Sequence, residues 1–351
     1  MYDPGVTPQR MPDAVYVGDG EIAVRELDVP ELATTDVLVE ISHCGICGTD
    51  LHLVLERYAR PDSILGHEWA GTIAAVGPDV RGWEIGARVV QNPTPGCGEC
   101  RACRRGRSSV CLRREPPDLL AFTSGAFCRY KVVPSSCLLR VPDTLSTRAA
   151  ALTEPTAIAI HTVNLSGVTP DDRVLVTGGG PVGLLTTAVL RARGIDDVTV
   201  SEPAPLRRER ALAVGAARVI TPNTLTRAPM GRPVPEPYTV AFECSGNAAA
   251  AESAFDHLDY AGTLVFVGTG HEMPRINHNR AIVLELSIIA AYNYDIDGFG
   301  PALELLASGR LPLEALIEAD DVLLDDVLGT MHRLAAGELP GKVMVRPEVR
   351  A

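Results

Sequence analysis

The chain reads as an α/β protein in two parts: a β-barrel-like unit with long loops, then a doubly wound parallel sheet. Three observations point there. Up to about residue 150, short β-prone runs are separated by Gly and Pro breakers. Beyond it, apolar runs of strand length alternate with helical stretches at the spacing of βαβ units. A glycine run, Gly178-Gly179-Gly180-Pro181-Val182-Gly183, falls where one such strand gives way to a helix.

The elements follow in order. Residues 37–41, 68–76, 87–90 and 127–133 have strand composition, with Gly77-Pro78 and Gly82 as breakers. Residues 148–163 are Ala-rich with helical spacing. A strand at 173–177 leads through the glycines into a helix at 182–193. A strand at 198–201 and a helix at 206–214 come next, the latter closed by Gly215 as a C-cap. Further strands fall at 218–220, 240–243 and 263–267, and the Pro-rich segment 229–237 reads as a surface loop. Helical patterns return at 300–308 and 324–336, and 341–345 reads as a closing strand.

Bulk properties narrow the function. At 351 residues two domains are expected. A hydrophobic content of 46% with 22% charge is that of a folded soluble chain. A net charge of −12 argues against nucleic acid or an anionic membrane as partner. No apolar stretch is long enough to span a bilayer, and the first residues carry no secretory pattern, so a cytoplasmic location is expected. Of the nine cysteines, four crowd into residues 97–111, which favours metal over disulfides.

Three constellations carry chemistry. Cys97, Cys100, Cys103 and Cys111 can wrap one tetrahedral ion with no open position, a structural zinc site in a lobe at about 95–113. An iron–sulfur cluster is the alternative, although the seven-residue final gap and the Leu112 that follows depart from the ferredoxin run. The glycine run follows a strand and opens a helix, as a dinucleotide fingerprint requires. Gly178, Gly180, Pro181, Val182 and Gly183 would face a pyrophosphate at the helix N-terminus. Glu202, nineteen residues beyond Gly183, would take the ribose hydroxyls and repel a 2′-phosphate. NAD is therefore expected over NADP, while Arg207 leaves room for the phosphate.

The third constellation spans residues 44–68. Cys47, His67 and Glu68 offer thiolate, imidazole and carboxylate within about twenty residues, a mixture that suits zinc. Cys44 competes with Cys47, and as a small cysteine it is expected to pack instead. Glu154, in Thr153-Glu154-Pro155, is the candidate for a further ligand. With one position left open, such a zinc is catalytic rather than structural.

At this point the chain resembles the zinc-dependent medium-chain alcohol dehydrogenase family, in its polyol (sorbitol), butanediol and threonine dehydrogenase branch. The resemblance rests on Gly-Ile-Cys-Gly-Thr-Asp-x-His, Gly-His-Glu, the four-cysteine lobe, Glu-Pro, the glycine fingerprint and a terminal Gly-Lys-Val, in that order. It implies a GroES-like catalytic domain at 1–156, a Rossmann domain at 157–294, and a return to the catalytic domain at 295–351. It implies that Cys47 and His67 bind the catalytic zinc, with Glu68 and Glu154 binding directly or through water. Thr49 and His52 match the relay that carries the alcohol proton to solvent. Val267, Gly268 and Thr269 match cofactor contacts, and Asn293 stands where the polyol enzymes carry an arginine near the nicotinamide. Hydride transfer between NAD and a secondary alcohol, diol or polyol is the implied activity, in a homodimer or homotetramer. The alternatives are an NADP-dependent aldehyde or ketone reductase of the same family, and a zinc-stapled NAD-binding protein without turnover.

Overall fold

The computed structural model describes residues 8–92, 96–113, 125–295 and 298–350. Two compact units account for it. The first takes Met1–Glu154, Asp295–Ser308 and Ile317–Ala351; the second takes Pro155–Tyr294 and Gly309–Leu316. The division falls between Glu154 and Pro155, and residues 309–316 go with the second unit, where the resemblance puts all of 295–351 with the first.

The first unit opens with a hairpin, β1 (Arg10–Gly18) and β2 (Glu21–Asp28), turning at Asp19-Gly20. Then come β3 (Asp36–Gly45), helix α1 (Gly48–Leu55), β4 (Ser63–Ile64), β5 (Glu68–Val76), β6 (Arg88–Gln91), β7 (Tyr130–Pro134) and β8 (Leu138–Arg140). Helices α2 (Thr147–Ala150) and α3 (Thr153–Ser166) lead onward, and the division between the units lies inside α3.

The second unit is a parallel α/β sheet. Its elements are β9 (Val174–Thr177), α4 (Pro181–Ala192), β10 (Val198–Ser201), α5 (Pro205–Ala213), β11 (Arg218–Ile220), β12 (Tyr238–Glu243), α6 (Ala248–Asp256), β13 (Leu258–Phe266), α7 (His278–Leu284) and β14 (Ser287–Ala290). Strand order is β11-β10-β9-β12-β13-β14, all parallel. All four residues of β9 are buried, so its Val-Leu-Val-Thr run shows no polar alternation. The chain leaves β9 towards β10 and later returns to β12 on its other side. That change of direction makes the carboxyl ends of β9 and β12 the place where such sheets bind ligands.

The closing segments are α8 (Phe299–Ala307), α9 (Leu313–Leu316), β15 (Val322–Leu323), α10 (Val327–Ala335) and β16 (Met344–Arg346). In the first unit β2-β1-β4 form one small sheet. The larger sheet runs β15-β16-β3-β5-β6-β8, with β7 also paired to β3. The last strand thus docks beside β3, and Val327, Met331 and Val345 join Val37, Val39, Ile41, Ile73 and Phe127 in one core. The two units are thus a β-rich domain and a doubly wound parallel sheet.

Several boundaries differ from the sequence reading. The strand expected at 127–133 starts at Tyr130, because Cys128 makes only an isolated bridge to Asp13. The helix expected at 148–163 is two, α2 and α3. The closing strand is only Met344–Arg346; Gly341 and Lys342 lie outside it. No helix among the described residues is long and apolar enough to cross a membrane.

One buried group in the first unit has no counterpart. Asp13, on β1, is fully buried, and both carboxylate oxygens lack a hydrogen-bond partner among the described residues. Burial, with a smaller push from the Glu26 charge, raises its pKa from 3.8 to about 7. The folded state therefore holds this proton where the unfolded chain has lost it, and stability falls as pH rises towards the folded value. Asp13→Asn should gain on the wild type by roughly 2 kcal/mol between about pH 5 and pH 8, read from urea midpoints at each pH. A constant difference between the two proteins across that range would refute this account.

Candidate functional site

The site begins where β3 ends. Cys47 is the N-cap of α1, in extended conformation. Asp50, three residues on and buried, accepts the Cys47 N–H through Oδ2 at 2.9 Å. Its other oxygen accepts the Gly66 N–H at 3.2 Å and lies 3.6 Å from His67 Nδ1. One carboxylate thus fixes the backbone of both segments that present a metal donor. Ligand atoms of Cys47, His67 and Glu68 lie within 4.8 Å of one another. Cys44 is fully buried in the core, where burial pushes its thiol well above the ordinary range.

Glu68 also has a protein partner that sequence reasoning missed. Pairing of β3 with β5 sets Gly45 opposite Glu68, and pairing with β16 sets Met344 opposite Gly45. This brings Lys342 alongside. Its Nζ lies 2.7 Å from each Glu68 oxygen and donates to the Ile46 carbonyl at 2.9 Å. Both side chains are almost wholly buried, 2% and 1% exposed. A Cβ on Gly45 would stand 2.3 Å from Glu68 Oε2, so only glycine lets the pair form. The signal for Lys342 was the terminal Gly-Lys-Val, read as a motif without a role.

Glu154 is not one of the three converging donors, but it shares their electrostatics. Burial raises its pKa to about 7, opposed by His67 and Lys342 and helped by Glu68 and Asp50. Burial works against charge on His67 too, yet Asp50 and Cys47 outweigh it and hold the imidazole well above its usual pKa. Three carboxylates and a thiol therefore crowd a pocket whose cationic counterparts are Lys342 and His67. Such a donor set fits a divalent cation, and its mixture of sulfur, nitrogen and oxygen fits zinc.

Thr49 and His52 both ride on α1, three positions apart and so on one face. Thr49 Oγ1 is 3.7 Å from the Cys47 sulfur. His52 is partly exposed, with Nδ1 2.7 Å from Glu56 Oε1.

The cysteine lobe closes on itself. The Sγ atoms of Cys97 and Cys103, and of Cys100 and Cys111, are 4.0 Å apart. All four lie within 4.8 Å of one another. Sulfurs about 2.3 Å from a tetrahedral zinc would be separated by roughly 3.8 Å, so the lobe fits one ion rather than a cluster. Backbone N–H groups of Cys103 and Leu112 donate to Cys100 and lower its pKa to about 6. The Cys97 N–H donates to Cys111 and lowers its pKa as well. Beyond the thiols, Asp295 accepts the Ser109 N–H at 2.8 Å and lies 3.8 Å from Arg107.

In the second unit the glycine loop joins β9 to α4, with Gly180 as N-cap and Pro181 in the first turn. A Cβ on Gly183 would lie 1.9 Å from the Gly178 carbonyl, so the loop can tighten only around glycine. Gly180 instead faces open space, a cradle suited to a phosphate beside a helix N-terminus. Glu202 turns inward as well as marking the strand end. Its Oε2 accepts the Gly179 N–H at 2.6 Å, and its Oε1 accepts the Ala204 N–H at 2.9 Å. Arg207 flanks the loop, its Cβ 3.4 Å from where a Cβ on Gly179 would sit. It is Arg208, which the sequence reading passed over, that binds the Glu202 carbonyl, at 2.9 Å. Val267 and Gly268 both donate to the Glu243 carbonyl at 2.9 Å. Asn293 takes a left-handed conformation, φ 54°, which asparagine tolerates better than most residues.

A sulfur, nitrogen and oxygen donor trio in one unit and a glycine loop at a helix N-terminus in the other are the parts a zinc oxidoreductase requires. Residues 33–143 match the alcohol dehydrogenase GroES-like domain, and residues 181–308 match the zinc-binding dehydrogenase domain. The chain belongs to the zinc-dependent medium-chain alcohol dehydrogenase family, in the branch of the sorbitol, threonine and butanediol dehydrogenases. It is 33% identical over 345 residues to sorbitol dehydrogenase of Bacillus subtilis, covering 93% of this chain and 94% of that one. With L-threonine 3-dehydrogenase of Pyrococcus horikoshii it shares 35% over 305 residues, 83% and 86% of the two chains. A solved zinc-binding dehydrogenase of Sinorhizobium meliloti, bound to NADP, superposes with TM-score 0.84 at 30% identity, covering 97% of this chain and 100% of that one. The 2R,3R-butanediol dehydrogenase of Bacillus subtilis gives 0.83 at 26%, covering 96% and 100%.

Proposed function

We propose that the protein interconverts a secondary alcohol, diol or polyol and its ketone, with NAD as hydride carrier. One zinc ion sits in the Cys47 pocket and a second in the cysteine lobe. The observation that carries this reading is the convergence of Cys47, His67 and Glu68 donors within 4.8 Å in a pocket otherwise overloaded with buried acid. Zinc held there supplies Lewis acidity to the substrate oxygen. Asp50 keeps Cys47 and His67 in register for it. Lys342 would hold Glu68 in place through their buried ion pair, and Glu154 would add a carboxylate to the metal directly or through water. Thr49 would take the substrate's hydroxyl proton as it gives up its own, and His52 would pass that proton to solvent. Gly178, Gly180, Pro181, Val182 and Gly183 hold the pyrophosphate, and Val267, Gly268, Thr269 and Asn293 line the nicotinamide side. The dinucleotide supplies the hydride acceptor.

The direct test is a panel of secondary alcohols, vicinal diols, polyols and threonine, followed by reduced-nicotinamide absorbance with NAD and NADP at equal concentration. Turnover confined to NAD and to one of these classes is expected. No turnover with any of them, in protein carrying both zinc ions, would overturn the proposal in favour of a binding role.

NADP is the second reading, and Arg207 beside the glycine loop favours it. Glu202→Ala separates the two. If the carboxylate takes the ribose hydroxyls, losing hydrogen bonds of about 1.5–3 kcal/mol should lower kcat/KM for NAD by roughly ten- to a hundredfold. NADP should suffer less. Equal losses for both cofactors would leave Glu202 as only a brace for Gly179.

The same reading includes self-association and work in a reducing cytoplasm. β14 is the outer strand of its sheet, and Ile288 on it and Ile282 and Val283 on α7 are exposed. An open apolar strand edge favours pairing with another chain. All nine cysteines are free thiols.

A further inference from the structure

At the carboxyl end of β12, beside β9, stands a buried carboxylate that the site described above does not use. Glu243 is 1% exposed. Its main-chain oxygen accepts the N–H groups of both Val267 and Gly268, each at 2.9 Å. Its side chain turns to a different loop. Oε1 accepts the Ser245 N–H at 2.8 Å, the Ser245 hydroxyl, and the Gly246 N–H at 3.1 Å. Oε2 shares the Gly246 N–H, also at 3.1 Å. One residue thus gathers every donor of the 245–246 turn with one end and starts the 267–270 loop with the other.

These loops press on each other with no spare room. A Cβ on Gly246, whose φ is 68°, would stand 2.1 Å from the Thr269 carbonyl oxygen. A Cβ on Gly268 would stand 2.3 Å from the Gly246 nitrogen, and one on Gly270 1.8 Å from the Gly246 oxygen. On the other side Ser245 abuts the dinucleotide loop: a Cβ on Gly178 would lie 2.9 Å from the Ser245 Cβ. Backbone packed this closely passes a small displacement of one loop to its neighbours. The Ser245 hydroxyl also accepts the Asn247 N–H at 3.1 Å, and Asn247 caps α6.

We infer that Glu243 is a positioning residue for the dinucleotide: by holding the 245–246 turn between the glycine loop and the 267–270 loop, it sets the pyrophosphate cradle against the nicotinamide side. The inference rests on the proposed dinucleotide site. A carboxylate suits the task because it accepts from several N–H and O–H donors at once and donates none. An amide at the same place turns one acceptor into an NH₂ group facing the Gly246 N–H. Two donors would then oppose each other.

The test uses the zinc-loaded full chain and NADH as probe. Glu243→Gln should raise the NADH Kd and the KM for NAD by about tenfold, with kcat at saturating cofactor changed by less than about threefold. Zinc content should match the wild type. Ser245→Ala, which removes one donor and leaves no carboxylate exposed, should shift the same constants in the same direction by a smaller factor; it stands in if the glutamine variant fails to fold. A role in general stability alone would lower the melting temperature and kcat without raising the cofactor constants, and that result overturns the inference. Unchanged constants in both variants overturn it too, while leaving the dinucleotide site in place. Failure of the wild type to bind NADH or NADPH would overturn both.

Discussion

Cys47→Ser should cost the protein one zinc ion per chain and lower turnover by at least about a thousandfold, since a metal supplies several kcal/mol of charge stabilisation. The fold should survive. What anchors Cys47 is its backbone N–H, held by Asp50, and serine keeps that group. The sulfur instead faces His67 and Glu68. A serine hydroxyl is close in size but stays protonated at neutral pH and is a poor zinc donor beside an imidazole. Metal analysis and cofactor absorbance on the same preparation check the prediction. One zinc should remain, in the cysteine lobe, with a melting temperature near that of the wild type. A variant retaining full activity would sink the assignment of Cys47.

Lys342→Met should be the most destabilising single change near the site. It removes the cation 2.7 Å from both Glu68 oxygens and leaves that carboxylate buried without its partner. Breaking a buried pair from one side costs about 3–5 kcal/mol. Burial alone would discharge the ammonium, but Glu68, with the Cys47 sulfur, holds its pKa above the ordinary lysine value. Neutralising the survivor should recover part of the loss. Lys342→Met with Glu68→Gln is expected to be more stable than Lys342→Met alone, because no unpaired charge is left inside. Urea midpoints of the two single variants and the double variant form the cycle. A single variant as stable as the wild type would mean that the pair contributes nothing.

The fold was largely legible because its signals are local. Strand and helix alternate visibly from β9 to β13, and the glycine run marks the turn into α4 without any distant contact. The hairpin of β1 and β2 carried a signal too, Asp19-Gly20 between strand-like runs, but it was passed over in favour of longer apolar stretches. The site was half legible. Cys47, His67 and Glu68 are near one another in sequence, and the structure brings their donor atoms together. Lys342 lies 274 residues from Glu68, and only the register of β16 on β3 and β5 joins them. No period in the chain encodes that meeting. The inward turn of Glu202 was likewise invisible, since a strand-end acid reads the same whether it faces a ribose or its own loop.

The tether from the cysteine lobe to Asp295 joins the lobe to the segment that carries Asn293. Asp295 is held by Ser109 and Arg107, and it lies two residues after Asn293, proposed to face the nicotinamide. Oxidants that convert the four thiols to disulfides should release the lobe's zinc and, with it, the grip on Asp295. Treatment with a mild disulfide-forming oxidant should therefore inactivate the enzyme in step with the loss of one zinc while the Cys47 site stays loaded, and reductant with added zinc should restore it. Full activity after that zinc has left would show that the lobe serves only as a staple.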